Sequence, residues 1–340
     1  MPKPLASLSL DLDNKWSYLR THGVAGWDNY PSYLDTVVPR VLDFCAEREL
    51  QITCFVIGRD AQRHQNRDAL SALADAGHEI GNHSLNHYPW MHTLSPAEVE
   101  YEIAEAESLI EDATGQRPVG FRGPGYSYSE DSLEVLAARG YLYDASVLPT
   151  FIGPLARWYF HRTASREAGE RADRRGQFGK FTECFRANRP HLVNTSAGPL
   201  AEMPVTVFPF VRLPIHMTYL WYLHQFSPRV ARTYVWTAMQ TCRLLGVGPS
   251  ILLHPLDFLG IEDEPEMKFF PGMNLPKSQK LDFLGEFWEI VAATFNVVPM
   301  REHAAQIALQ HSGESVISKA AAQRRGEKSV DARELVTEGT

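Results

Sequence analysis

Two aspartates, Asp11 and Asp13, and two histidines, His83 and His87, are the residues whose types and spacing carry the most chemistry in this chain of 340 residues. Imidazoles four positions apart stand on one side of a helical turn and can reach a single ion. The aspartates close the apolar run over residues 5–10. If that run is a strand, carboxylates two positions apart project from one face. Two histidines and one carboxylate compose a hydrolytic metal centre with open coordination positions, and the second carboxylate is left over to act as a base. Either pair alone has a plain structural explanation, a helix-packing His pair or a capping Asp. Their combination points to a metal.

Further candidates follow at regular intervals: Arg122 in Phe121-Arg122-Gly123-Pro124-Gly125-Tyr126, Asp144 in Tyr143-Asp144-Ala145-Ser146, and His254 in Leu252-Leu253-His254-Pro255. The elements that must position them alternate. Residues 5–10, 52–57, 79–82 and 119–121 read as short strands, with helices over 33–48, 67–76, 96–114 and 131–139 between them. Ser95-Pro96 with Glu98 is a helix-start signal. Gly77, Gly115 and Gly140 stand where left-handed helix terminators belong. The rhythm resumes with strands over 205–208, 250–254 and 297–298 and helices over 230–245, 279–293 and 301–310. Strand–helix alternation predicts parallel β/α units, and seven or so of them predict a barrel whose site lies at the C-terminal strand ends. Asp13, His83, Arg122, Asp144 and His254 all fall at or just past such ends.

The whole chain narrows the function classes. A net charge of −8, from 33 basic and 41 acidic residues, argues against nucleic acid as a partner. The start of the chain lacks the apolar core of a signal peptide, and no run approaches the roughly 20 apolar residues of a membrane span. The four cysteines show no metal-ribbon or Cys-x-x-Cys spacing and read as reduced thiols. The expected location is the cytoplasm, either free or peripheral at the inner face of the membrane. Residues 1–312 are expected to form one catalytic barrel with an insertion at about 149–230, followed by a disordered tail over 313–340. Within the insertion, residues 155–189 hold nine Lys/Arg against four Asp/Glu, interleaved with aromatics. That segment reads either as a solvated flap or as a surface for something anionic. Residues 212–223 are rich in residues suited to a membrane interface. Trp16, Tyr18, Trp27 and Tyr30 read equally as a sugar-stacking subsite or as packing over the barrel mouth.

With these segments in order, the chain resembles the carbohydrate esterase family 4 polysaccharide deacetylases. The aspartate pair looks like that family's first motif in a variant with one residue between the carboxylates. His83-Ser84-Leu85-Asn86-His87 matches its second motif, and the Arg122, Asp144 and His254 segments match the third, fourth and fifth. The resemblance implies an α/β fold, a distorted (β/α)7-type barrel with a long insertion before the last barrel strands. It implies one divalent ion on Asp13, His83 and His87: zinc first, with cobalt, nickel or manganese as alternatives. It makes Asp11 the base, oriented by Arg122, and His254 the acid, tuned by Asp144 or a neighbouring carboxylate such as Asp257. Gly125 stands where many relatives carry tyrosine, so the oxyanion donor is expected at Gly125, beside Tyr126.

The implied reaction is hydrolysis of a linear amide, removing an N-acetyl (N-acyl) group from an amino sugar. A cytoplasmic enzyme would meet a glycan precursor or glycolipid, so the expected partner is an N-acetylated sugar, lipid-linked or soluble. Two other classes compete: a metal-dependent amidase for a small ureide-like substrate, and a non-catalytic carbohydrate- or membrane-binding relative. The latter would be expected to have lost Asp11 or a ligand, and all are present.

Overall fold

The computed structural model describes residues 2–174 and 181–311. The tail expected over 313–340 lies outside the described residues. Nine strands form one curled sheet: β1 (Leu5–Asp11), β2 (Thr53–Val56), β3 (Glu79–Asn82), β4 (Gly120–Phe121), β5 (Tyr143–Asp144), β6 (His191–Thr195), β7 (Gly198–Glu202), β8 (Ser250–Leu253) and β9 (Asn296–Val298). Their order is β6-β7-β5-β4-β3-β2-β1-β8, with β9 also paired to β1. All pairings are parallel except the β6–β7 hairpin. This is the α/β half-barrel architecture the strand–helix rhythm predicts.

Alternation along each strand decides what faces the barrel axis. On β1, Ala6, Leu8 and Leu10 join the main apolar core with the surrounding helices. Ser7, Ser9 and Asp11 take the other face, where Ser9 and Asp11 meet Arg122. Phe55, Tyr143 and Ala201 form an interior cluster with Met300 and Ala304 of the helix 300–311. That helix closes the end of the barrel opposite the strand tips. Its first turn is tied to buried Glu79, whose carboxylate accepts from Arg301 N at 2.9 Å, Thr53 Oγ1 at 2.7 Å and Tyr143 Oη at 2.9 Å. A Cβ at Gly120 would come within 1.9 Å of the Tyr143 ring, so this inward position must stay bare. The helix Pro96–Thr114 starts at the expected Ser95-Pro96 signal, where Ser95 and Glu98 form a capping box, and Gly115 ends it at φ 71°.

Two local readings change. Residues 205–208 are not a strand. Pro204 and Pro209 flank them and remove ladder donors. The segment instead spans the gap between the sheet's two ends: Val205 N bonds Val147 O at 2.8 Å and Thr206 N bonds Ser250 O at 2.9 Å. The β6–β7 hairpin, unanticipated, lies inside the 149–230 stretch, and β7 is a full member of the sheet beside β5. Within the 212–223 stretch, the helix Met217–Phe226 buries Met217, Leu220 and Trp221 in the core and exposes Tyr222 and Phe226.

Candidate active site

Parallel register places the site residues side by side at the strand tips. Leu10 pairs with Leu253, so His254 emerges next to Asp11. His83 N bonds Val56 O, and Arg122 N bonds Asn82 O. His83, Arg122 and His254 are thus each the first residue past their strand, Asp13 is the second past β1, and Asp11 and Asp144 are the last residues of β1 and β5.

The histidine pair converges by a different route from the expected helical turn. Residues 83–88 form a loop, with left-handed backbone at Ser84 (φ 61°) and His87 (φ 51°). Local hydrogen bonds stabilise these conformations. Asn82 Oδ1 accepts from Ser84 N at 2.9 Å, and Ser84 Oγ accepts from His87 N at 3.1 Å. Glu102, buried on the helix Pro96–Thr114, accepts from Asn86 N and Nδ2 at 2.9 and 2.7 Å. A side chain bonding its own backbone two or three residues on is the usual competitor to helix, and here it sets the ligand geometry.

Asp13 Oδ1 lies 2.9 Å from His87 Nε2 and 3.3 Å from His83 Nε2. These three side chains are the group among the described residues able to hold a metal, and all are buried. The donor chemistry tests the fit. His83 Nδ1 sits 2.6 Å from the Arg122 carbonyl oxygen, which can only accept, so Nδ1 carries the proton. In the neutral imidazole the Nε2 lone pair then faces a carboxylate oxygen, an arrangement that calls for a cation between them. The residues therefore fit a divalent ion. Burial raises the Asp13 carboxyl, but the nearby imidazoles outweigh it and hold the group well below the usual carboxylate range. Burial pushes His87 below its ordinary value, toward the neutral form that binds metal.

Asp11 is held apart from this trio. Its Oδ1 accepts from Arg122 Nη1 at 2.6 Å, and its Oδ2 lies 3.9 Å from His83 Nε2. The Arg122 side chain is fully buried. It also donates to Ser9 Oγ at 2.8 Å and Ala145 O at 3.0 Å, with its guanidinium carbon 4.4 Å from the centre of the Phe55 ring. These contacts, with Met300 Sδ at 3.8 Å, fix one guanidinium, and through it one carboxylate.

Asp144 is placed differently. Tyr143 faces the barrel interior, so Asp144 takes the opposite face, opposite Glu202 in register. Its Oδ1 accepts from Ser146 Oγ at 2.6 Å, and Ser146 Oγ accepts from Gly123 N at 2.7 Å. Among the described residues its carboxylate has no contact with His254. What it organises is the turn carrying Gly125, which is exposed with φ 58°, while Tyr126 N closes that turn on Gly123 O at 3.0 Å. Asp257 reaches His254 through the main chain, accepting from His254 N at 2.7 Å and from Trp221 Nε1 at 2.7 Å. The His254 ring has Thr218 Oγ1 3.4 Å from its Nδ1.

Two residues come to the site without a sequence signal strong enough to assign them. The His216 ring lies 6.5 Å from both the His254 and Tyr126 rings, and burial with the neighbouring His254 lowers it to about 3. Its place depends on how residues 205–216 cross the barrel. Glu202 was the other. Burial and the adjacent Asp144 charge push its carboxyl well above the usual range. Tyr18 packs edge-on to Phe270 at 5.1 Å, and the Phe270 ring lies 6.3 Å from the His254 ring, so these two aromatics wall the mouth.

Residues 24–143 match the family model described as polysaccharide deacetylase. The chain is 29% identical over 111 residues to a peptidoglycan deacetylase of Helicobacter pylori, covering 33% of this chain and 37% of that protein. It is 32% identical over 103 residues to a chitooligosaccharide deacetylase of Sinorhizobium fredii, covering 30% and 46%. The chain thus spans under half the length of these relatives. A Mycobacterium smegmatis structure described as a polysaccharide deacetylase superposes with a TM-score of 0.61 at 20% identity, over 92% of both chains, which establishes the shared fold. The matched segment runs from Val24, just past the helix Lys15–His22, to Tyr143 and takes in the His83–His87 loop and Arg122, while the shared fold extends over nearly the whole chain.

Proposed function

We propose that this protein is a metal-dependent hydrolase that removes the N-acetyl group from an amino sugar. The observation that carries the reading is the division of labour between the two aspartates. Asp13 lies against both imidazoles, and Asp11 is held by Arg122 beside them. A divalent ion on Asp13, His83 and His87 would acidify a water and polarise the acyl carbonyl. Asp11 is positioned to take the proton of that water, with Arg122 keeping it ionised and aimed. The turn at Gly125, braced by Ser146 and Asp144, offers main-chain polarity to the developing oxyanion. His254 stands beside Asp11 to protonate the departing amine. Asp144 acts here as a positioning residue.

We take the ion to be zinc, which suits two imidazoles and a carboxylate with open positions. We place the protein in the cytoplasm, a reading supported by four cysteines that are all free thiols. The substrate would then be a glycan precursor, lipid-linked or soluble. Support for contact with an anionic membrane comes from the insertion, where Leu155, Trp158, Phe181 and Phe185 are each more than half exposed. Arg174 and Arg175, whose charge reversal should weaken such contact, have side chains outside the described residues. The test of the central reading is acetate release from N-acetylated oligosaccharides by the metal-loaded protein. Turnover that survives unchanged in Asp11→Asn would defeat it, and release of ammonia from a ureide instead of acetate from a sugar would favour the amidase reading.

A further inference from the structure

One ring away from His87, a group of cations and aromatics forms a second feature at the barrel mouth. Trp16 is buried edge-on to His87 with centroids 6.5 Å apart, and Trp27 packs on Trp16 at 5.8 Å. Arg20 lies over Trp16, Trp27 and Tyr88 at 4.9, 5.5 and 5.2 Å, and donates to the carbonyls of Asn86 and His87 at 2.8 and 2.5 Å. Arg59 lies over both indoles at 5.0 Å.

Asp60 is the nearby carboxylate, and it accepts from Asn14 Nδ2, Trp16 Nε1 and Asn66 Nδ2, with Arg63 at 4.0 Å. Among the described residues Arg59 has no carboxylate within ion-pair distance. Its side chain is half-buried, so it is neither fully solvated nor neutralised. A guanidinium lying over an indole uses its π face and keeps its in-plane N–H donors available, the fork that matches a carboxylate or phosphate.

The geometry points to an anion subsite at Arg59, floored by Trp16 and Trp27 and flanked by Arg20. It would hold a carboxylate or phosphate carried by the sugar chain next to the N-acylated residue. This inference rests on reading the metal centre as an N-deacetylase, and it narrows the substrate class from amino sugars in general to anionic ones. Trp27 supplies the stacking surface for the sugar ring bearing the anion, and Arg20 couples the subsite to the ligand loop through the His87 carbonyl.

The test uses the full chain, loaded with metal, on three acceptors: a neutral N-acetylglucosamine oligosaccharide, one with a neighbouring uronate, and N-acetylglucosamine 1-phosphate. Arg59→Gln should cut the preference for anionic over neutral acceptor, read as the ratio of kcat/KM values, by about 10- to 100-fold. Arg59→Lys should keep part of it. Whichever anionic arm shows the larger loss identifies carboxylate or phosphate as the source. An unchanged ratio in Arg59→Gln, or one lost only together with a fall in melting temperature shared by Arg59→Lys, would make the arginine a packing element and overturn the subsite. Binding of the same three compounds to Asp11→Asn, followed by tryptophan fluorescence, needs no turnover. Arg59-dependent anion binding without acetate release from any substrate would sink the deacetylase reading and leave the subsite standing. Acetate release without Arg59 dependence would do the reverse.

Discussion

Arg122 holds His83 with its main chain and Asp11 with its side chain: its carbonyl oxygen lies 2.6 Å from His83 Nδ1, and its Nη1 lies 2.6 Å from Asp11 Oδ1. One residue thus sets the tautomer of a metal ligand and the aim of the base by two separable contacts. Arg122→Lys should separate them. The main-chain contact persists, so metal content should stay near that of the wild type. Lysine cannot reproduce the guanidinium contacts, and turnover should fall by about 10²–10⁴-fold, as when a base is lost. Elemental analysis beside kcat decides; metal lost in step with activity would show that the side chain orders the ligands too.

The ligand assignment makes its own prediction. His83→Ala, His87→Ala and Asp13→Asn should each reduce the bound ion well below one per chain, while Asp11→Asn should keep it and lose activity. Because an ion binding only the folded state stabilises it by mass action, added metal should raise the melting temperature of the wild type and of Asp11→Asn. A rise of equal size in His83→Ala would refute the site.

Glu202 supplies a pH dependence whose sign is fixed. Its folded-state value lies above the ordinary 4.5, because burial and the Asp144 charge disfavour ionisation. The folded protein therefore retains a proton that the unfolded chain releases. The associated stability is complete below pH 4.5 and is lost as pH rises through the folded-state value. Glu202→Gln should flatten that decline and gain relative stability at alkaline pH. Denaturant melts of both proteins across pH would show parallel curves if the proton were not held there.

Gly120→Ala tests the barrel interior. The new methyl would sit 1.9 Å from the Tyr143 ring, whose hydroxyl is bonded to Glu79. Overpacking of this kind costs about 1–3 kcal/mol or more. Chemical denaturation should read that loss, and an unchanged midpoint would mean that Tyr143 has room to move.

The constellation was legible because its residues are chemically costly to place by accident. Asp11, Asp13, His83, Arg122 and His254 all stand at strand ends, as the apolar runs before them require. What sequence periodicity could not supply was the backbone between them. His83 and His87 look helical by spacing, and the side chains of Asn82, Ser84 and Glu102 draw the segment into a loop instead. Val205–Phe208 has the β-branched alternation of a strand, but its flanking prolines permit only isolated bonds. The hairpin strand Gly198–Glu202 carries glycine and proline and shows no alternation; it is a strand because β5 offers it an edge. Asp144 was recognisable as a motif, yet its partners, Ser146 nearby and Glu202 far along the chain, could be known only from the folded sheet.

The position of β1 sets a problem for the growing chain. In the finished sheet it lies between β2 and β8, and Leu10 pairs with Cys54 on one side and Leu253 on the other. The first partner is made early and the second about two hundred residues later. Throughout that interval β1, bearing both aspartates, has one open edge and an apolar face lined by Leu8 and Leu10. Such an edge is a template for mispairing. The strand that anchors the chemistry is therefore also where nascent or truncated chains should aggregate, and a chain ending before Ser250 should be insoluble even though it contains every metal ligand.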